Sequence, residues 1–159
     1  MSVRVDVQRA ADEHSTPDDA FVAAWVTRAI EAARDTGDSE VSVRIVDAAE
    51  IRALNRDYRG KDRPTNVLSF PAGDVDGMPD DEPQPLGDIV VCASVVRDES
   101  AAQGKSAQDH WAHMLVHGAL HLLGYDHQAD MEADVMEALE TRILGAHGVA
   151  DPYGDAKNC

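Results

Sequence analysis

At 159 residues the chain has the length of one domain, within the usual range of roughly 100–200 residues, and is too short for two comfortable cores. Its 43% hydrophobic content excludes a disordered acidic tail despite 28% charged residues, while 4% aromatics leave the core to Ala, Val, Leu and Ile. With 14 Lys+Arg against 30 Asp+Glu the net charge is −16, so the chain has no global attraction for nucleic acid or anionic membrane, and any grip on a polyanion must be local. Cys92 and Cys159 make no disulfide framework and point to a reducing compartment. No apolar run reaches the ~20 residues needed to span a bilayer, and residues 1–8 alternate charge rather than form a signal segment. The expectation is a soluble, cytoplasmic, single domain over residues 1–159.

In chain order, Val3–Val7 alternates with period two and predicts a strand with one buried face. Thr16-Pro17-Asp18-Asp19 starts a helix that carries Phe21, Trp25 and Ile30 and ends near Gly37. Val41–Ile45 is a second strand. Ala48 to about Tyr58 is a short helix with Ile51 and Leu54 inward, and Asn66–Phe70 is a third strand entered through Pro64. Residues 71–86 hold four prolines and five acids, which predicts an exposed loop between flanking strands. Gly87–Cys92 is a fourth strand, and its continuous apolar run suggests a central place. Ser94 is placed to cap a helix through about Gly104, and Ser106 opens another through Leu123 that Gly124 stops. Asp130–Ala146 is the last helix, with Met131, Val135, Met136, Leu139 and Ile143 on one stripe. This order predicts an α+β fold: one mixed four-stranded sheet packed with about five helices.

Four of the seven histidines, His110, His113, His117 and His121, fall on one face of the helix opened by Ser106, and His127 follows across Gly124. Imidazoles at i and i+4 sit one turn apart, close enough to share a metal ion. A glycine three residues later lets the chain turn back and bring a third imidazole to the same ion. Three neutral His ligands leave a tetrahedral position open, as a catalytic zinc site requires. A lone helical histidine is ordinarily a solvated or packed polar residue. Seven histidines in 159 residues would match this triple by chance only about 0.014 times, however, before the glycine is counted. His113 lies one turn before His117, as either a supporting partner or an ordinary histidine, and Asp126 is a further candidate acceptor. The spacing over residues 117–127 is that of the metzincin proteases, with Gly118 where those enzymes carry the general-base glutamate.

The acidic chain has one local basic segment: Arg52, Arg56, Arg59, Lys61 and Arg63 lie within twelve residues, diluted by Asp57 and Asp62. Its bland account is a solvated face paired to neighbouring acids. Its sharper account is phosphate contact beside the metal, for which the planar guanidinium fork is suited.

Leu54-Asn55, Tyr58–Asp62, Pro64–Phe70, Leu86–Ile89, His117–His127 and Met136–Glu140 together resemble the YbeY family of bacterial rRNA-maturation endoribonucleases, over about residues 40–145. The resemblance implies a zinc-dependent, single-strand-selective endoribonuclease acting at the 3′ end of small-subunit 16S rRNA and in ribosome quality control. It implies one Zn2+ per chain on His117, His121 and His127, with Arg59 as the active-site arginine. Its implied partners are single-stranded rRNA, the small ribosomal subunit and an associated protein. Two other classes stand beside it: a metzincin-like metallohydrolase, weakened by Gly118, and a non-catalytic ribosome-assembly adaptor with structural zinc.

Overall fold

A computed structural model of the chain describes residues 3–10, 16–33, 38–72, 84–125, 130–150 and 152. The described elements run β1 (Val3–Arg9), α1 (Asp19–Ala33), β2 (Ser39–Val46), α2 (Ala48–Arg59), β3 (Val67–Pro71), β4 (Gln84–Cys92), α3 (Ala93–Gln103), α4 (Ala107–Leu122) and α5 (Asp130–Gly145). The four strands pair in the order β1-β2-β4-β3. β1 and β4 flank β2 in parallel, and β3 closes the edge antiparallel to β4. This is the expected mixed α+β sheet, and β4 is internal, as its apolar run implies.

Strand alternation divides the sheet into two unequal faces. Val41, Val43, Ile45, Val67, Ile89 and Val91 join the main core with α1, α4 and α5. On the other face Val46, Leu68, Val90 and Cys92 meet Ile51 of α2 in a smaller cluster. α4 lies deepest: eleven of its sixteen residues are buried. Its approach to the sheet is set by Gly118, where a Cβ would sit 2.8 Å from the Ile89 Cγ2 methyl and 3.3 Å from Val67 Cγ2. The Ser69 hydroxyl donates to the Gly118 carbonyl at 2.9 Å and ties α4 to β3 at the same point.

Helix starts carry a side-chain cap at three of four places. Asp18 Oδ1 accepts from Phe21 N–H, Asp47 Oδ1 from Glu50 N–H and Ser106 Oγ from Asp109 N–H. The fourth is a correction. Ser94 does not cap α3; Cys92 is the N-cap, with no side-chain capping bond, because β4 runs into α3 without a connecting loop. β4 also starts earlier than the expected Gly87, since Gln84 and Pro85 pair with Ser39 and Glu40 beside a register shift, a place where a strand tolerates proline. The exposed loop expected over 71–86 therefore loses its ends to β3 and β4, and residues 73–83 lie outside the described ones, as does the helix end near Gly37. On α5 the buried side is Met136, Glu140, Ile143 and Leu144, whereas Val135 is 58% exposed and does not belong to the stripe. Cys92 is a buried free thiol, and Cys159 lies outside the described residues. Among the described residues no helix is long and apolar enough to cross a membrane.

The packing at Gly118 gives a first prediction. Gly118→Ala forces the Ile89 methyl to move, and overpacking of this kind costs about 1–3 kcal/mol. Urea unfolding of the variant should show a lower midpoint with an unchanged slope; an unchanged midpoint would mean that α4 does not press on the sheet there.

Candidate metal centre and substrate cleft

The α4 histidines form the expected single row. Ring centroids are 6.2 Å apart for His110 and His113, 6.1 Å for His113 and His117, and 4.5 Å for His117 and His121. The row runs from interior to surface: His110 and His113 are buried, His117 and His121 half-buried. A buried imidazole needs a partner, and the helices packed on α4 supply carboxylates. Glu99 of α3 lies 2.9 Å from His110 Nε2. Glu140 of α5, fully buried, serves two rings: Oε2 is 3.1 Å from His113 Nε2 and Oε1 is 2.6 Å from His117 Nδ1.

These contacts decide protonation. Burial works to raise the Glu140 carboxyl, but hydrogen bonds from His113 and His117, with their positive charge when protonated, outweigh it and hold the group at about 2. An ionised carboxylate only accepts, so in the neutral ring of His117 the proton sits on Nδ1 and the lone pair on Nε2. That Nε2 faces Nε2 of His121 at 3.1 Å. For His110, burial lowers the pKa more than Glu99 raises it.

Past His121 the helix ends on the expected glycine. Gly124 takes φ 98°, its N–H donates to the His121 carbonyl, and Tyr125 N–H donates to the Leu120 carbonyl, each at 3.1 Å. The chain is thereby turned back. His127 and Asp126 lie outside the described residues.

Among the described residues, one ligand atom from each of His113, His117 and Glu140 lies within 4.8 Å of the others, a group able to hold a metal ion. The expected set is His117, His121 and His127, so the two share only His117. The donor chemistry separates them. Both Glu140 oxygens already accept from imidazoles in a fully buried pocket, which makes Glu140 an orienting acceptor. The His117–His121 pair instead opens on the surface cleft. Two nitrogens bound tetrahedrally to zinc at about 2.0–2.1 Å stand about 3.3 Å apart, close to the spacing seen here. The residues present fit the ion.

The cleft has a volume of about 520 Å³ and runs from His117 and His121 to the segment joining α2 and β3, where Arg59, Lys61 and Arg63 line it together with Asn55, Asn66 and Ser69. Gly60, at φ 72°, ends α2, and buried Asn55 fastens the turn beyond it. The Asn55 carbonyl accepts from Lys61 N–H at 3.2 Å, and its Nδ2 donates to the Arg63 carbonyl at 2.9 Å. On the cleft floor Asn66 donates to Glu99 at 3.2 Å, so one carboxylate braces both the floor and His110.

The basic segment divides into paired residues and residues that line the cleft. Arg52 makes a two-pronged pair with Asp62 at 2.8 and 3.3 Å, and Arg56 pairs with Asp57 at 3.1 Å. Arg59, Lys61 and Arg63 are exposed on the cleft, and none pairs with an acid among the described residues. Gly118, where a protease of metzincin spacing holds its glutamate, packs directly on the sheet, where even a Cβ would crowd Ile89. Sequence reasoning missed the roles of Glu140 and Glu99. The signal for Glu140 was its spacing: it stands four residues from Met136 and three from Ile143, an acid on the buried side of an apolar helix.

Comparison with known proteins identifies the family of the chain. The sequence model of the family described as Endoribonuclease YbeY matches residues 7–148. A protein of Halorhodospira halophila named Endoribonuclease YbeY is 60% identical over 139 residues, covering 87% of this chain and 89% of that one. One of the same name from Pseudomonas putida strain W619 is 53% identical over 156 residues, covering 98% and 96%. A solution structure of a Thermotoga maritima protein is similar at a TM-score of 0.54 and 26% identity, with 91% of each chain covered.

Glu140→Gln should keep the helix packing but lose the charge that fixes the His117 proton, and loss of such a partner typically weakens metal affinity about 10–100-fold. Competition with a zinc-binding dye reads this directly; unchanged affinity would remove Glu140 from the site. Acid stability depends on the same group. Its folded pKa, about 2, lies below the ordinary 4.5, so its contribution is complete above about 4.5 and is lost as pH falls toward 2. Unfolding followed by circular dichroism should lose part of its acid dependence over that window in Glu140→Gln.

Proposed function

Since the chain belongs to the YbeY endoribonuclease family, we propose that it is a metal-dependent endoribonuclease that cuts single-stranded ribosomal RNA at the cleft between α4 and the α2–β3 segment. The observation that carries the reading is the convergence of two imidazole Nε2 atoms at one end of a cleft lined by three cations without acid partners among the described residues. The ion is zinc, one per chain, on His117, His121 and His127, a ligand set supported by the sequence spacing across Gly124. The whole chain, 1–159, works as one domain, in the cytoplasm, on the 3′ end of small-subunit 16S rRNA and in ribosome quality control.

Zinc on this site supplies Lewis acidity at the scissile phosphate and a source of hydroxide near neutral pH. The chain's own groups do the rest. Glu140 holds the His117 Nδ1 proton, so the ring keeps its lone pair on the cleft side. Arg59, always charged, donates to the phosphate oxygens and neutralises charge developing there in the transition state. Lys61 and Arg63 hold the neighbouring phosphates as point and fork charges. Because the net charge is −16, affinity for RNA rests on these three side chains, and the small subunit with an associated protein supplies the remaining targeting.

The decisive experiment compares zinc content by mass spectrometry with cleavage of a single-stranded 16S 3′-end fragment, in wild type and His121→Ala. One zinc per chain, lost together with cleavage in the variant, supports the reading. Zinc without cleavage in the wild type would favour the adaptor role, and no zinc in either would overturn the ligand set. Arg59→Ala should keep zinc and lose about 10²–10³-fold in kcat. Three phosphate contacts on a single strand also predict a slope of about −2 for log affinity against log salt.

A further inference from the structure

α2 ends on two neighbouring residues that point to different sides of the β3 edge. Arg59 lines the catalytic cleft, while Tyr58 faces the opposite side of the sheet and packs edge-on against Phe70, with ring centroids 5.1 Å apart. β3 repeats the division: Ser69 and Pro71 line the cleft, and Phe70 between them belongs to the Tyr58 side. β3 is the edge strand of the sheet, so only its outer margin separates the two sides. Tyr58 is 69% exposed in a chain with 4% aromatics, and only Val135 shares that exposure among the described large apolar residues. An aromatic ring that is held by a neighbour yet open on its outer side is costly to leave in water and well suited to receive a flat partner.

We propose that Tyr58 is a base-stacking subsite, which takes one nucleobase of the single-stranded RNA where the strand leaves the cleft across the β3 edge. The inference rests on the endoribonuclease reading and extends it to substrate length. A nucleobase fits better than a phosphate, because the groove beyond Tyr58 carries Glu50 and Asp88, and its arginine, Arg44, is already paired to Glu50 at 2.7 Å. Phosphate contacts therefore stop at Arg59, and the next contact is the ring. Stacking on an aromatic face is tolerant of sequence, so the subsite adds affinity and prefers unpaired substrate without selecting a base.

The test uses the zinc-loaded wild type, Tyr58→Ala and Tyr58→Trp with two single-stranded RNAs, of ~4 and ~16 nucleotides, centred on the same cleavage site. For the longer RNA, Tyr58→Ala should raise KM about tenfold, within a range of about 5- to 150-fold, and Tyr58→Trp should restore it. The change should be much smaller for the shorter RNA. Independently of cleavage, 2-aminopurine walked along the longer RNA should be quenched at one position outside the cleft in the wild type and not in Tyr58→Ala. Equal parameters for wild type and Tyr58→Ala on both RNAs, with no position-specific quenching, would overturn the subsite and leave the Tyr58–Phe70 pair as a protein-contact face. Failure of the endoribonuclease reading looks different: the wild type itself would then cut neither RNA.

Discussion

A carboxylate with no exposure to water is expensive unless its oxygens are satisfied, and both Glu140 oxygens meet rings of α4. That single requirement sets much of the molecule. It clamps α5 onto α4 in one register, since a shift of either helix would strand a buried charge. It orients His117 and chooses its tautomer, so the lone-pair nitrogen looks outward at His121. The same carboxylate occupies His113, which accounts for a buried histidine that a purely apolar helix would not carry. From His113 to His121 the row is thus one hydrogen-bonded structure, buried at one end and open to the cleft at the other.

Electrostatics explains how a chain of charge −16 can present a cationic wall along its cleft. Net charge acts over distances that physiological salt screens within about 8 Å, whereas contacts inside a cleft are short. What matters is which cations are already neutralised. Arg52 and Arg56 are matched by acids on their own segment, and Arg44 by Glu50 on the far side of the sheet. Arg59, Lys61 and Arg63 share a cleft instead, held there by the αL turn at Gly60 and by Asn55. Asn55 is the cheaper half of the design: one buried amide replaces the packing that a short loop cannot provide.

Most of the architecture was legible in the sequence because it depends on local period and capping. Val3–Val7, Val41–Ile45 and Gly87–Cys92 alternate or run apolar, and Asp18, Ser106 and Gly124 mark helix ends by chemistry that acts within a few residues. The histidine row was legible for the same reason, since helical spacing places its members without knowledge of the fold. Contacts that join distant segments were not. Glu140 and Glu99 meet histidines 23 and 11 residues away, and no period announces such a meeting. The split of the basic segment was hidden too, because only the turn after α2 decides which cations face Asp62 and which face the cleft. The same holds for Ser94, which satisfies the capping pattern but is pre-empted by a strand that continues to Cys92.

α4 carries two duties that pull in opposite directions. Its buried flank must press against β3 and β4 so closely that position 118 has no room for a side chain, and its other flank must present polar rings to a water-filled cleft. Glycine resolves the first duty at a cost in helix propensity of about 1 kcal/mol, which the surrounding apolar packing offsets. The second duty then benefits, because a helix fixed against the sheet at Gly118 also fixes its neighbour His117, one residue away, relative to the cations on the α2–β3 segment. Packing and site are therefore coupled through one helix: a change that loosens α4 from the sheet loosens the imidazoles by the same motion, even when it touches none of them.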